Sequence, residues 1–177
     1  MYRIIGPASA SREAVWAALA DPARNVTPLF LEQMFPVLWV VAEDYGIDPV
    51  GVVAQSGKET GWGRFAGLVR PAFHNTCALK LAEDQQAMFP GITDGDRPLA
   101  HAIFPSWWVG AEAHVQHLRA YAGWPVSSTI VDPRYELALS RTPDRWVEQF
   151  SGLGGRWAPS TTYGTQIETI MDEIGRR

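Results

Sequence analysis

Helix start and stop signals recur so closely along this chain that only short helices joined by many turns are open to it. Sixteen glycines and thirteen prolines among 177 residues argue against a coiled coil, and no internal repeat points to a solenoid. Ser11 is placed to cap a first helix through Ala20, ended by Asp21-Pro22. Pro36, in a first turn, opens the apolar run Val37 to Ala42, and Gly46 stops it. Asp48 then caps a helix with Pro49 in its first turn, and Gly61 closes it. These two consecutive apolar helices are expected to form the core. Ser106 caps a further helix, with Trp108, Ala111, Val115, Leu118 and Ala122 on one face, which Trp124-Pro125 breaks. Thr142-Pro143 is expected to start a short helix through Phe150. The turn from Gly152 to Gly155 leads to a last helix with the stripe Tyr163, Ile167, Ile170, Met171 and Ile174. Residues 64–103 hold no sustained period and are rich in Gly, Pro and Asp, which reads as irregular structure with a small hairpin and favours a functional lobe. The expected fold is therefore α+β and helix-dominated, a single domain over residues 1–177. Residues 1–30 form an N-terminal extension packed on it.

Composition removes several classes of function. The net charge of −4, without any Lys/Arg cluster, gives nucleic acid no electrostatic footprint. No apolar stretch is long enough to insert in a membrane. Cys77 is the single cysteine, so the fold cannot depend on an internal disulfide; it reads as a small packing residue more readily than as a nucleophile paired with His74. There is no Ser-nucleophile elbow, phosphate loop or dinucleotide fingerprint. His114 and His117 stand three apart on a helix, a spacing that can share a metal, but no third ligand accompanies them and the HExxH pattern is absent. They read as surface or capping histidines, with no metal and no cofactor expected.

Against this background one carboxylate stands out. Glu59 lies in the last turn of the second core helix, followed by the aromatic turn Gly61-Trp62-Gly63-Arg64-Phe65. A carboxyl group walled by Trp62 and Phe65 can be held protonated near neutral pH, as a general acid for glycosidic cleavage must be. Glycosidases of the two-carboxylate kind need a second acid, and Glu83, Asp84, Asp94 and Asp96 in the irregular lobe are candidates. The second catalytic function is expected between Glu83 and His101. His101 itself reads as a polar cleft residue or a buried, hydrogen-bonded histidine, and Trp62 as an aromatic wall for sugar.

Four segments, in order, resemble a known family. Ala54-Gln55 through Lys58-Glu59-Thr60-Gly61-Trp62-Gly63 resembles its "AQ…ETGWG" segment, and His74-Asn75-Thr76-Cys77-Ala78-Leu79-Lys80 its "NLFGIK" segment. Phe104-Pro105-Ser106-Trp107, Gly110 and the run His114 to Leu118 resemble "F-x-S…G…H-x-x-x-L". Gly155 to Tyr163 is similar to the closing "YATDPNY" segment. The family is the glucosaminidase family of peptidoglycan hydrolases (glycoside hydrolase family 73, in the lysozyme-like superfamily). The resemblance spans roughly residues 30–175. It implies a lysozyme-like fold with a β-hairpin lobe facing helices across a cleft. It also implies cleavage of the β-1,4 bond between N-acetylglucosamine and N-acetylmuramic acid in the peptidoglycan glycan strand, the expected partner; the chain is expected to be a monomer. Glu59 falls on the catalytic acid, Asn75 and Lys80 on the second motif, and Tyr163 on an aromatic residue that approaches the cleft; with Trp62 and His101 these make the expected substrate-binding set. Two positions depart from the pattern. Leu-Phe-Gly is replaced by Thr76-Cys77-Ala78, and the second acidic residue has no match near His101, so a substrate-assisted route through the sugar's N-acetyl oxygen stays open beside a second carboxylate. A start without a signal peptide leads to the expectation of a phage lysin or virion component, released by lysis or a holin. A muramidase or lytic transglycosylase is the rival within the class, and a non-catalytic wall-binding module the rival outside it.

Overall fold

The computed structural model describes residues 1–81, 91–93, 100–140 and 146–176. Six α-helices are seen among them: α1 (Arg12–Leu19), α2 (Phe35–Asp44), α3 (Pro49–Thr60), α4 (Trp107–Tyr121), α5 (Tyr135–Leu139) and α6 (Tyr163–Gly175). The N-terminal signals act as their chemistry requires. Ser11 accepts from the Ala14 N–H, Asp48 from Val50 and Ser106 from Val109, each satisfying an otherwise orphaned first-turn donor. Gly61 closes α3 in the left-handed conformation, φ 59°, donating its N–H to Gly57 O. A single π-helical turn, Phe30–Met34, runs directly into α2 and places Phe30 and Met34 in the core.

Helix α3 is the centre of the molecule, packed between α2 and α6, while α4 lies against α2 and α5. It is buried on nearly every side from Pro49 to Gly57. Its glycines permit this: a Cβ on Gly51 would fall 2.0 Å from the Phe150 ring, and one on Gly57 2.3 Å from the Trp62 ring. Rings therefore lie directly on the helix backbone. Phe30, Phe35, Leu38, Phe150 and Leu153 fill the space around it, each contributing about 2 kcal/mol through removal from water. The N-terminal segment is tied in by backbone bonds, Ile4 N–H to Glu148 O and Asp48 N–H to Ile4 O, and Tyr2 donates to Asp172 Oδ1 at 2.6 Å.

The 64–103 segment contains a small antiparallel sheet. Strands β1 (Lys80–Leu81), β2 (Gly91–Thr93) and β3 (Ala100–Ala102) lie in the order β1-β3-β2, with β3 central, so the arrangement is three-stranded and not a lone hairpin. Three other expectations need correction. Helix α4 buries residues almost all round, including Ala113, His114, Gln116 and His117, whereas Trp108, expected on its apolar face, is 43% exposed. Trp107 takes the inward role, stacked edge-on against His74. The helix expected from Thr142 begins outside the described residues, and 146–149 are not helical, with Gln149 bridged to Arg3; a 3-10 turn, Phe150–Leu153, starts where that helix was expected to end, and α5 lies upstream. Among the described residues no helix is long and apolar enough to cross a membrane.

Candidate active site

The last turn of α3 is fixed by the chain that follows it. Trp62 and Phe65 both adopt positive φ, 58° and 48°, a conformation costly for bulky side chains, and backbone bonds from Trp62 N–H to Gly57 O and Phe65 N–H to Thr60 O hold it. The Trp62 ring lies on Gly57 and meets Phe30 edge-on at 5.2 Å. It thus faces the core, and Phe65 supplies the aromatic group of the cleft wall. The cleft, about 370 Å³, is lined by Glu59, Phe65, Leu68, Ala78, Lys80 and His101 among others. Lys80 and His101 are cross-strand partners on β1 and β3. The sheet therefore meets the end of α3 across this cleft.

Burial pushes the Glu59 carboxyl above the usual range, opposed by a hydrogen bond from Tyr163 and the positive charge of Lys58. The Tyr163 hydroxyl, from the first turn of α6, donates to Glu59 Oε1. Burial and the Glu59 carboxylate push the Tyr163 hydroxyl's own pKa up, so it stays a donor. Behind Tyr163 a line of buried polar groups runs into the core. Gln55 Nε2 reaches the Tyr163 oxygen at 3.1 Å, Gln55 Oε1 lies 3.0 Å from His114 Nε2, and His114 Nδ1 lies 3.3 Å from Thr76 Oγ1. Gln55, Thr76 and His114 are all fully buried. Sequence reading missed Gln55 and Thr76 and put His114 on the surface. The four-residue spacing of Gln55 and Glu59 along one helix face was a usable signal for Gln55.

Asn75, expected at the substrate, is fully buried. Its amide nitrogen donates to Leu79 O and Ala102 O, both at 3.0 Å, while its oxygen accepts from Leu79 N–H at 2.9 Å. It shapes the loop that delivers Lys80 and does not face the cleft. His117 is buried too, 2.7 Å from Asp132 Oδ2, its ring between Tyr121 and Trp157. Cys77 is buried, and burial followed by the nearby Glu59 charge pushes its thiol well up, which suits packing and not nucleophilic attack. The candidate second acids Glu83, Asp84, Asp94 and Asp96 lie outside the described residues. Among the described residues no group of three or more His, Cys, Asp and Glu side chains could hold a metal.

His114 carries a pH prediction. Burial, then the neighbouring His117, pushes its pKa from 6.5 down to about 3. Below 6.5 the unfolded chain takes up a proton that native His114 refuses, so this contribution is complete above 6.5 and is lost as pH falls toward 3. The expected slope is roughly 1.4 kcal/mol per pH unit. Glu59 and Asp48, both raised by burial, act in the opposite sense. Comparing wild type with His114→Gln cancels their contribution. Urea unfolding at a series of pH values should show the wild-type advantage shrinking on acidification; parallel curves would count against a buried neutral His114.

Comparison with known proteins is consistent across most of the chain. Residues 36–176 match the family model named glucosaminidase, described as mannosyl-glycoprotein endo-β-N-acetylglucosaminidase. An uncharacterised protein of Borreliella burgdorferi is 29% identical over 122 residues, covering 68% of this chain. The chain spans about half the length of that curated relative, 52% of it. No solved structure matches.

Proposed function

Since the chain belongs to the glucosaminidase family of glycoside hydrolases, we propose that it cleaves the glycan strands of bacterial peptidoglycan as an endo-β-N-acetylglucosaminidase, with Glu59 as general acid. The observation that carries this reading is the Glu59 carboxyl itself. It is held at the end of a buried helix, raised by burial, and lines a cleft between helices and a small sheet. We read that arrangement as a lysozyme-like fold. The acidic form protonates the oxygen between the sugars as the bond from the anomeric carbon to that oxygen breaks. The resulting carboxylate then accepts a proton from the water that completes hydrolysis. Tyr163 holds one carboxyl oxygen throughout, and Lys80 and His101 border the sugar from the sheet. The positive charge developing at the anomeric carbon is met either by a carboxylate from the lobe, where Glu83, Asp84, Asp94 and Asp96 are the candidates, or by the sugar's own N-acetyl oxygen. The bacterial relative gives the idea of a phage lysin no support.

The test is the identity of the new chain ends. Digests of purified peptidoglycan, reduced with borohydride and analysed by mass spectrometry, should carry reduced N-acetylglucosamine. Reduced muramic acid would make the protein a muramidase, and 1,6-anhydro ends a lytic transglycosylase. An intact wall would leave only the binding module.

A further inference from the structure

The buried polar line behind Tyr163 has only one consistent direction. An ionised Glu59 can accept but not donate, so the proton between it and Tyr163 belongs to Tyr163. With its one hydrogen committed, the Tyr163 oxygen must accept from Gln55, which turns the Gln55 amide nitrogen toward it at 3.1 Å. The Gln55 carbonyl then faces His114 Nε2 at 3.0 Å, and that nitrogen must carry the hydrogen. A neutral imidazole has one N–H, so Nδ1 is a lone pair, and the Thr76 hydroxyl 3.3 Å away donates to it. Thr76 Oγ1 also donates to Gly110 O at the same 3.3 Å, so its hydrogen is shared between the two acceptors and Thr76 is the weakest member of the line. The donors of His114, Gln55 and Tyr163 therefore all point from the core toward Glu59.

We infer that Thr76, His114 and Gln55 are positioning residues of the site, which turn the Tyr163 hydroxyl toward Glu59 Oε1 and thereby keep the transferable proton of Glu59 on Oε2. The inference rests on the reading of Glu59 as the acid. When Glu59 is protonated, two arrangements compete. In one, Tyr163 donates to Oε1 and the carboxyl proton sits on Oε2, ready for the leaving oxygen. In the other, the proton sits on Oε1 and is donated back to Tyr163, out of reach of the substrate. The second requires the Tyr163 hydrogen to turn away, toward the Gln55 amide nitrogen, which is itself a donor. The clash of two donors excludes it. Without Gln55 in this orientation the unproductive form becomes available, and the ionised carboxylate loses a committed donor. The other polar and charged groups around Glu59 stay in place in all variants considered: Lys58 on its own helix, Tyr163 on α6, Cys77 on the loop before β1, and Lys80 and His101 on the sheet.

Two substitution pairs test this in the full chain. Gln55→Met keeps the length of the side chain and removes its polarity. His114→Leu removes the donor to Gln55, whereas His114→Gln can present an amide N–H close to the Nε2 position. The Glu59 titration is followed by NMR with carboxyl-labelled glutamate, which needs no activity, and kcat and KM are measured on soluble peptidoglycan fragments across pH. In Gln55→Met and His114→Leu, the Glu59 midpoint should move up and the high-pH limb of kcat with it. The value of kcat should fall by about 10- to 100-fold with little change in KM. His114→Gln should stay near wild type. Should either Gln55→Met or His114→Leu fail to fold, Thr76→Val, which touches neither Tyr163 nor Glu59, should give a smaller shift of the same sign. Lower melting temperatures with an unmoved Glu59 midpoint, or His114→Gln behaving like His114→Leu, would reduce the line to core packing and overturn the inference. Lysis by Glu59→Gln is a separate outcome: it would remove the acid assignment, while the titration still judges the relay.

Discussion

Glu59→Gln should abolish wall lysis while leaving the fold intact. Glutamine has nearly the shape of glutamic acid, still accepts from Tyr163 through its carbonyl, and has no proton to give, so only the chemistry is removed. Loss of a general acid costs about 10²–10⁴-fold. Turbidity clearance of wall suspensions measures the loss, with circular dichroism as the control for folding; lysis above roughly a tenth of wild type is incompatible with Glu59 as the acid. The same variant should be more stable than wild type at neutral pH. Burial raises the Glu59 carboxyl above its ordinary 4.5, so the unfolded chain ionises first as pH rises and the native state bears the cost of a desolvated charge. That cost is absent below 4.5 and grows as pH climbs to the native value. Melting temperatures of the two proteins should therefore meet at low pH and part above it, with Glu59→Gln the higher. Activity and stability moving in opposite directions on one substitution is what a strained catalytic carboxyl predicts. A surface Glu would move neither.

What the sequence revealed and what it hid follow from the range of the interactions. The borders of α3 were readable because Asp48, Pro49 and Gly61 act on their own helix ends, and the same locality placed Glu59 in its last turn. Helix α4 was readable as a helix but not as a buried one. A period argument presumes one wet face, and α4 is covered on nearly all sides, which turned His114 and His117 from surface residues into core residues. Asn75 shows the same gap at a single residue. Its motif marks the position, while its partners Leu79 and Ala102 come from the following turn and from β3. In the strand order β1-β3-β2, the sequence pair Asp94-Gly95 is a turn signal for the β2-β3 pairing, whereas nothing local announces that β1 pairs with β3.

Gly110→Ala should be among the most damaging single-methyl additions in the chain. Helix α4 passes the His74 to Thr76 segment so closely that a Cβ on Gly110 would lie 1.8 Å from the His74 carbonyl oxygen and 3.0 Å from its carbon. Neither neighbour can yield by a rotamer change, since one side is helix backbone and the other is the backbone of His74, itself held at φ 49° with Nδ1 against Phe104 O at 2.9 Å. The better helix propensity of alanine returns about 1 kcal/mol. Separating two backbones by more than an ångström costs more, and a net loss of about 3 kcal/mol is expected. Urea denaturation measures it. Gly6→Ala, where nothing lies within 4 Å of the new carbon, is the control and should be near neutral. Activity should suffer beyond the loss of stability, because the displaced segment carries Thr76 and leads into Ala78 and Lys80 of the cleft wall. A Gly110→Ala protein with the wild-type midpoint and undiminished lysis would mean that α4 and the 74–80 segment are not in the contact described. Both the cleft and the relay behind Tyr163 depend on that contact.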